Sequence, residues 1–343
     1  MKKSYIILGI LLAVVLFIPT VLFESLTFES SYTSDTTAAT EDLSSQLAIT
    51  GLLSRIEYNN NVAYIFGSLH GLRDSWLPLH PMVESAMRRA DQFGFEVNMY
   101  NLANLTPTQL AYIDNLQRLP EGVTLADFVP TEIYENFRAN IDTFGHMGIT
   151  YDLINMLRLN PVTITNLISQ MMLQMYGDLT ISVMDSVDGY IFQFALDNNK
   201  PFFGFETIEG QANLLFGVPL ELQAYALYGF NDFETALYEM SSEDDILLIS
   251  AYENNDFDTL RRLLSEDSES DENAFTEHFH YVMLNYRCHI YAEGIADLLR
   301  NTEEPTTFFF TFGAAHIIGQ GGGMVLELLY DMGFTIDPLW KGV

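Results

Sequence analysis

The chain has 343 residues and is 48% hydrophobic, with 25 Phe and 18 Tyr, which suffices for a sizeable core and argues against global disorder. Its 46 acidic against 15 basic residues give a formal charge of −31, which repels phosphate backbones and anionic bilayer surfaces, so nucleic acid is a poor partner. The single cysteine, Cys288, excludes an intramolecular disulfide and any Cys-rich zinc site.

Lys2 and Lys3 precede an almost unbroken apolar run, 5–23, close to the roughly 20 residues that span a bilayer as a helix. No small-x-small cleavage site follows, which favours a retained signal-anchor, while Pro19 inside the run leaves a cleaved signal open. Either way the positive start directs the rest of the chain out of the cytoplasm. The expectation is a single-pass membrane protein with its domain outside, or a secreted protein after cleavage. Residues 1–28 form the signal segment, and the Ser-, Thr- and acid-rich 29–45 form a linker. The folded domain is 46–343.

In that domain the first predicted strand is 61–68, rich in branched and aromatic residues. A loop, Gly67-Ser68-Leu69-His70, leads to a helix at 81–91 that opens on Pro81, and a strand follows at 93–97 carrying Glu96. The far end repeats that order: strand 306–312, loop Gly313-Ala314-Ala315-His316, glycine-rich 319–323, helix 324–332 and strand 334–336. Between them, helix-period apolar positions predict helices at 106–119, 127–144, 151–159, 162–175, 188–197, 209–215, 219–229, 231–240, 244–254, 256–264 and 277–300. They are interrupted by a short strand at 201–205 that ends at Glu206, and by an acidic tract, 265–273, that reads as a solvated loop. The expected fold is α/β: a central mixed sheet built from two similar strand, Gly-x-x-His loop, helix, strand units, with a large helical insertion between them. Two such units around one sheet would bring both histidines to one edge.

A glycine at a strand end permits a tight turn, and histidine binds metal or moves protons near neutrality. One such loop reads as a turn with an incidental histidine; the same spacing after a second strand favours a site. Glu96 lies in an otherwise apolar strand, where burial demands a partner or a metal, although an outward position at the strand end is equally open. Glu206 has the same ambiguity. Two histidines, His70 and His316, with one or both of the carboxylates Glu96 and Glu206 are a reasonable inner shell for a divalent cation of the Mn, Co or Zn type. Such an ion could polarise a carbonyl and activate water for hydrolysis. Arg287, on the long C-terminal helix, could then hold a substrate carboxylate or an oxyanion, or else form a surface salt bridge.

The order of these residues resembles the TraB/GumN family. The Gly67-Ser68-Leu69-His70-Gly71 loop is similar to its opening motif, with Leu72 where a final glycine is typical. Glu206-Thr207-Ile208-Glu209-Gly210-Gln211 is similar to its Glu-Thr-x-x-x-Gln segment, and Val187-Asp188-Gly189 to its Gly-x-Asp helix start. Gly313-Ala314-Ala315-His316 is similar to its closing motif. The resemblance implies kinship with Tiki-type membrane-tethered metalloproteases, which need a divalent cation and use paired Gly-x-x-His motifs with a glutamate. It therefore implies His70, His316 and Glu96 as metal-site residues, with Glu96, Arg287 and Glu206 as catalytic candidates. An Asn usually follows the family's arginine; here that position is Cys288. Links of some members to peptide pheromone inhibition imply peptides as substrates. The expected activity is thus that of a metal-dependent peptidase. Its rivals are a non-catalytic protein that sequesters a peptide or small ligand on the same scaffold, and a metal- or haem-handling protein using the same histidines.

Overall fold

A computed structural model describes residues 49–69, 71–142, 145, 148–176, 186–230, 243–263, 274–318 and 324–340. The N-terminal run 5–23, the linker, the helix expected at 231–240, the acidic tract 265–273, the glycine-rich 319–323 and His70 lie outside them. Among the described residues no helix is long and apolar enough to cross a membrane.

Six strands form one mixed sheet: β1 (Ser54–Tyr58), β2 (Asn61–Ser68), β3 (Gln92–Val97), β4 (Phe202–Glu206), β5 (Thr307–Gly313) and β6 (Ile336–Pro338), in the order β4-β3-β5-β2-β1-β6. The strand β1 was not predicted. It pairs antiparallel with β2 through Asn59 and Asn60, both at positive φ (49° and 68°), as a tight two-residue hairpin turn requires. The strands β4, β3, β5 and β2 are mutually parallel. β5 lies at the centre, and six of its seven residues are buried. A parallel strand covered on both faces reads as this kind of continuous apolar run.

Seven helices matter for the site: α1 (Pro81–Arg89), α2 (Val187–Asp197), α3 (Ile208–Phe216), α4 (Glu243–Glu253), α5 (Tyr286–Asn301), α6 (Ala314–Ile317) and α7 (Val325–Asp331). Side chains alternate across a strand, so β3 presents Phe93 and Phe95 to one face and Glu96 to the other. Phe93 and Phe95 meet Phe194 and Phe192 of α2, and Tyr190 of α2 donates to Glu84 of α1 at 2.8 Å. On the opposite face Phe312 of β5 stacks on Tyr291 of α5, with ring centroids 4.5 Å apart. The sheet is thus sandwiched between helices.

The two motif units share the sheet in the predicted way, with an order no sequence pattern specified. The first unit, β2-α1-β3, steps over β5; the second, β5-α7-β6, steps over β2 and β1. The intervening insertion carries helices Pro107–Leu116, Thr131–Ile141, Tyr151–Leu157 and Pro161–Tyr176. The last three contribute to a second apolar cluster, including Phe137, Ile154, Ile164 and Leu227, whereas Ile113 of the first packs in the main core. The helix expected over 127–144 starts only at Thr131, because Pro130 takes the capping position. The single helix expected over 277–300 is Ala274–His280, a π-helical turn at Tyr281–Asn285, and α5.

Candidate functional site

Adjacent parallel strands β2 and β5 place Ser68 opposite Gly313, so both Gly-x-x-His loops leave the same edge of the sheet side by side. A side chain at Gly67 would put its Cβ 3.1 Å from the Ala314 Cα, and that closeness is why glycine stands there. One loop leads to α1 and the other to α6 and α7, on opposite faces. Crevices of that kind, at the carboxyl ends of parallel strands, are where open α/β sheets bind ligands.

Glu96 is next to last in β3 at the same edge and is buried, which resolves its orientation inward. Its Oε1 accepts the Gly313 backbone N–H at 2.8 Å, tying the second loop to the carboxylate. Its Oε2 accepts from Arg287 Nη2 at 2.6 Å and from Gln211 Nε2 at 3.4 Å. Glu206 ends β4, next to β3. The following Thr207 caps α3 by accepting the Gly210 N–H at 3.0 Å, which fixes the strand end. Glu206 accepts from Arg287 Nε at 3.2 and 2.9 Å and from the Tyr291 hydroxyl at 2.5 Å.

Arg287 is therefore not a surface ion pair. It is 1% exposed, and its donors go to Glu96, to Glu206 and, through Nη1, to the Met283 carbonyl at 3.4 Å. Burial works against the guanidinium charge, but the charges around it, chiefly those of the two carboxylates, outweigh it and hold the pKa well above the ordinary arginine value. Burial and the neighbouring carboxylates also raise the Tyr291 phenol despite Arg287, so Tyr291 stays a donor. The π-helical turn ends two residues before Arg287, and such turns recur at functional sites.

His316 is 3% exposed, its Nε2 lies 3.8 Å from Glu96 Oε1, and its ring stands edge-on to Tyr291. Its Nδ1 is 3.2 Å from Cys288 Sγ, and the direction of that contact depends on the histidine tautomer. If Nδ1 donates, Nε2 keeps its lone pair for a metal. Sequence reasoning treated Cys288 only as a departure from the family pattern. The available signal was its place directly after Arg287, where the family usually has Asn.

The structure thus brings Glu96, Glu206, Arg287 and His316 together. Cys288, Tyr291 and Gln211 join them, and none of these three stood among the predicted site residues. Gln211 is 1% exposed, and its Oε1 has no hydrogen-bond partner. Among the described residues, His, Cys, Asp and Glu do not gather in threes that could hold a metal ion. Two described donors, His316 Nε2 and Glu96 Oε1, lie 3.8 Å apart and suit one in type.

A model of the TraB/PrgY/gumN family matches residues 52–338. The chain belongs to this family. No curated protein and no solved structure matches it. In this TraB/PrgY/gumN member the buried Cys288 thiol is pushed up to about 12, mainly by burial. We expect a thiol reagent at pH 8 to leave the native protein unlabelled and to label one group per chain after denaturation; rapid native labelling would contradict that burial.

Proposed function

We propose that the chain is an extracytoplasmic, metal-dependent hydrolase acting on peptides. The single observation that carries this reading is the meeting of Glu96 and His316 at the edge from which both Gly-x-x-His loops depart. His70, His316 and Glu96 would hold a divalent cation of the Mn, Co or Zn type. When bound, such an ion polarises a peptide carbonyl and lowers the pKa of a coordinated water. The chain's own groups do the rest. Glu96 Oε1, beside the His316 ring, is suited to take a proton from the attacking water and return it to the leaving amine. Arg287 holds Glu96 and Glu206 apart in fixed settings, so its role is positioning rather than substrate binding. Tyr291 restrains Glu206 from the far side.

The exported setting rests on the basic start and apolar run at residues 2–23, which would tether or direct a domain of 46–343 outside the cytoplasm. The non-catalytic alternative draws on Cys288, a weak partner for His316 where the family usually has Asn. The test is cleavage of a fluorogenic peptide mixture by full-length protein stripped with chelator, then resupplied with Mn²⁺, Co²⁺ or Zn²⁺. Activity lost on stripping and restored by one of these ions supports the hydrolase. Stoichiometric peptide binding without turnover under any ion overturns it in favour of sequestration.

A further inference from the structure

The sheet has two outer edges, and the chain treats them differently. β6 is three residues long, carries exposed Asp337 and ends on Pro338, which blunts that edge against further pairing. β4, at the other end of the strand order, reads Phe202-Phe203-Gly204-Phe205-Glu206, with no charge before its last residue. Among the described residues no strand pairs with its outer side and no main-chain hydrogen bond reaches it. The Phe93 N–H donates to the Pro201 carbonyl at 2.9 Å, which sets the alternation of the parallel ladder. Pro201, Phe203 and Phe205 bond inward to β3, while Phe202, Gly204 and Glu206 turn their N–H and C=O groups away from the sheet. All five residues of β4 are half-buried, whereas β3 and β5 are buried beyond their first residue. The side chain of Glu206 is only 5% exposed, so the solvent contact of that residue is made by its main chain.

We propose that β4 is a docking edge for peptide: an extended, cationic segment adds to it as a seventh strand and is led to the carboxylates at the strand's end. The inference rests on the peptide-directed reading and states how, and with which charge, the substrate is held. Strand addition takes its affinity from main-chain bonds and so accepts many sequences. Both faces of β4 are already packed, since Phe202 meets Phe192 of α2 at 5.0 Å between ring centroids and Phe205 meets Tyr291 of α5 at 5.8 Å. Only the edge is left for a partner. The formal charge of −31 favours a cationic one. The edge also leads into the site, because Glu206, its last outward residue, is in register with Val97, the neighbour of Glu96. With strands about 4.8 Å apart, an added strand runs about 10 Å from β3 and Glu96, a gap that about three extended residues cross.

The probe is a basic, strand-forming octapeptide of alternating Lys and Val, capped at both ends. Its control is the same peptide N-methylated at every residue, which keeps the charge and loses every strand donor. Full-length protein is stripped with chelator so that the peptide is not cleaved, and amide exchange is followed residue by residue across β4 by NMR. In the free protein the Phe202, Gly204 and Glu206 amides are expected to exchange fast, and those of Phe203 and Phe205 slowly. The parent peptide is expected to slow the first three about tenfold at about nine-tenths occupancy, because only the free form exchanges, and the methylated peptide to slow none. Unchanged exchange with the parent peptide at millimolar concentration overturns the proposal, since main-chain pairing does not wait for a particular sequence. Equal protection by both peptides, the mark of charge alone, also overturns it. So does protection in the free protein that fades on dilution, which assigns the edge to a second copy. The hydrolase reading fails by a different route: protection of the three amides without cation-dependent cleavage keeps the docking edge and removes the enzyme, whereas cleavage without protection removes the edge alone.

Discussion

Arg287→Leu is expected to destabilise the protein by about 3–5 kcal/mol, read as a shift in the urea unfolding midpoint at unchanged slope. The cause is not the loss of a favourable pair but what remains behind. Glu96 and Glu206 have side chains only 5% exposed, and Arg287 donates to both. Without it two carboxylates face each other across a buried space with no cation between them. Arg287→Lys should recover only part of the loss, because one ammonium cannot replace separate Nε and Nη2 bonds to two acceptors. Adding Glu96→Gln and Glu206→Gln to Arg287→Leu should restore much of the stability, since neutral amides no longer need the charge. A loss under about 0.5 kcal/mol for Arg287→Leu would mean that water reaches the carboxylates.

Glu96→Gln is expected to lower cation-dependent cleavage by about 10²- to 10⁴-fold, the range for a positioned proton-transfer group. Its stability should fall much less than that of Arg287→Leu. The amide oxygen can still accept from Gly313 N–H or from Arg287, which keeps its contacts with Glu206. A folded Glu96→Gln protein that cleaves at the wild-type rate would reduce Glu96 to a structural anchor of the second loop.

Much of this site was legible in the chain. The strands at 61–68 and 306–312 announced themselves by branched and aromatic content, and the repeated loop spacing foretold that they share an edge. The hairpin before β2 was also within reach, because Asn59-Asn60 between two alternating segments is a known turn signal. It was read only as a boundary. Pro130 likewise marked the break in the helix expected over 127–144. The carboxylate-guanidinium trio was not legible. Glu96, Glu206 and Arg287 come from three distant segments, and only the parallel register of β3 with β4 and the packing of α5 bring them together. Arg287 was read as a holder of a substrate carboxylate or an oxyanion, or else as a surface salt bridge; in the fold its donors go to the buried carboxylates Glu96 and Glu206.

The central claim is that two distant Gly-x-x-His loops and Glu96 make one cation site. The most direct test is Mn²⁺, Co²⁺ or Zn²⁺ binding, measured on chelator-stripped full-length wild type, His70→Ala and His316→Ala. The account predicts one tight site per chain in the wild type, lost in each single variant, with peptide cleavage lost alongside it. Folded single variants that bind cation like the wild type, or a wild type that binds none, would contradict it.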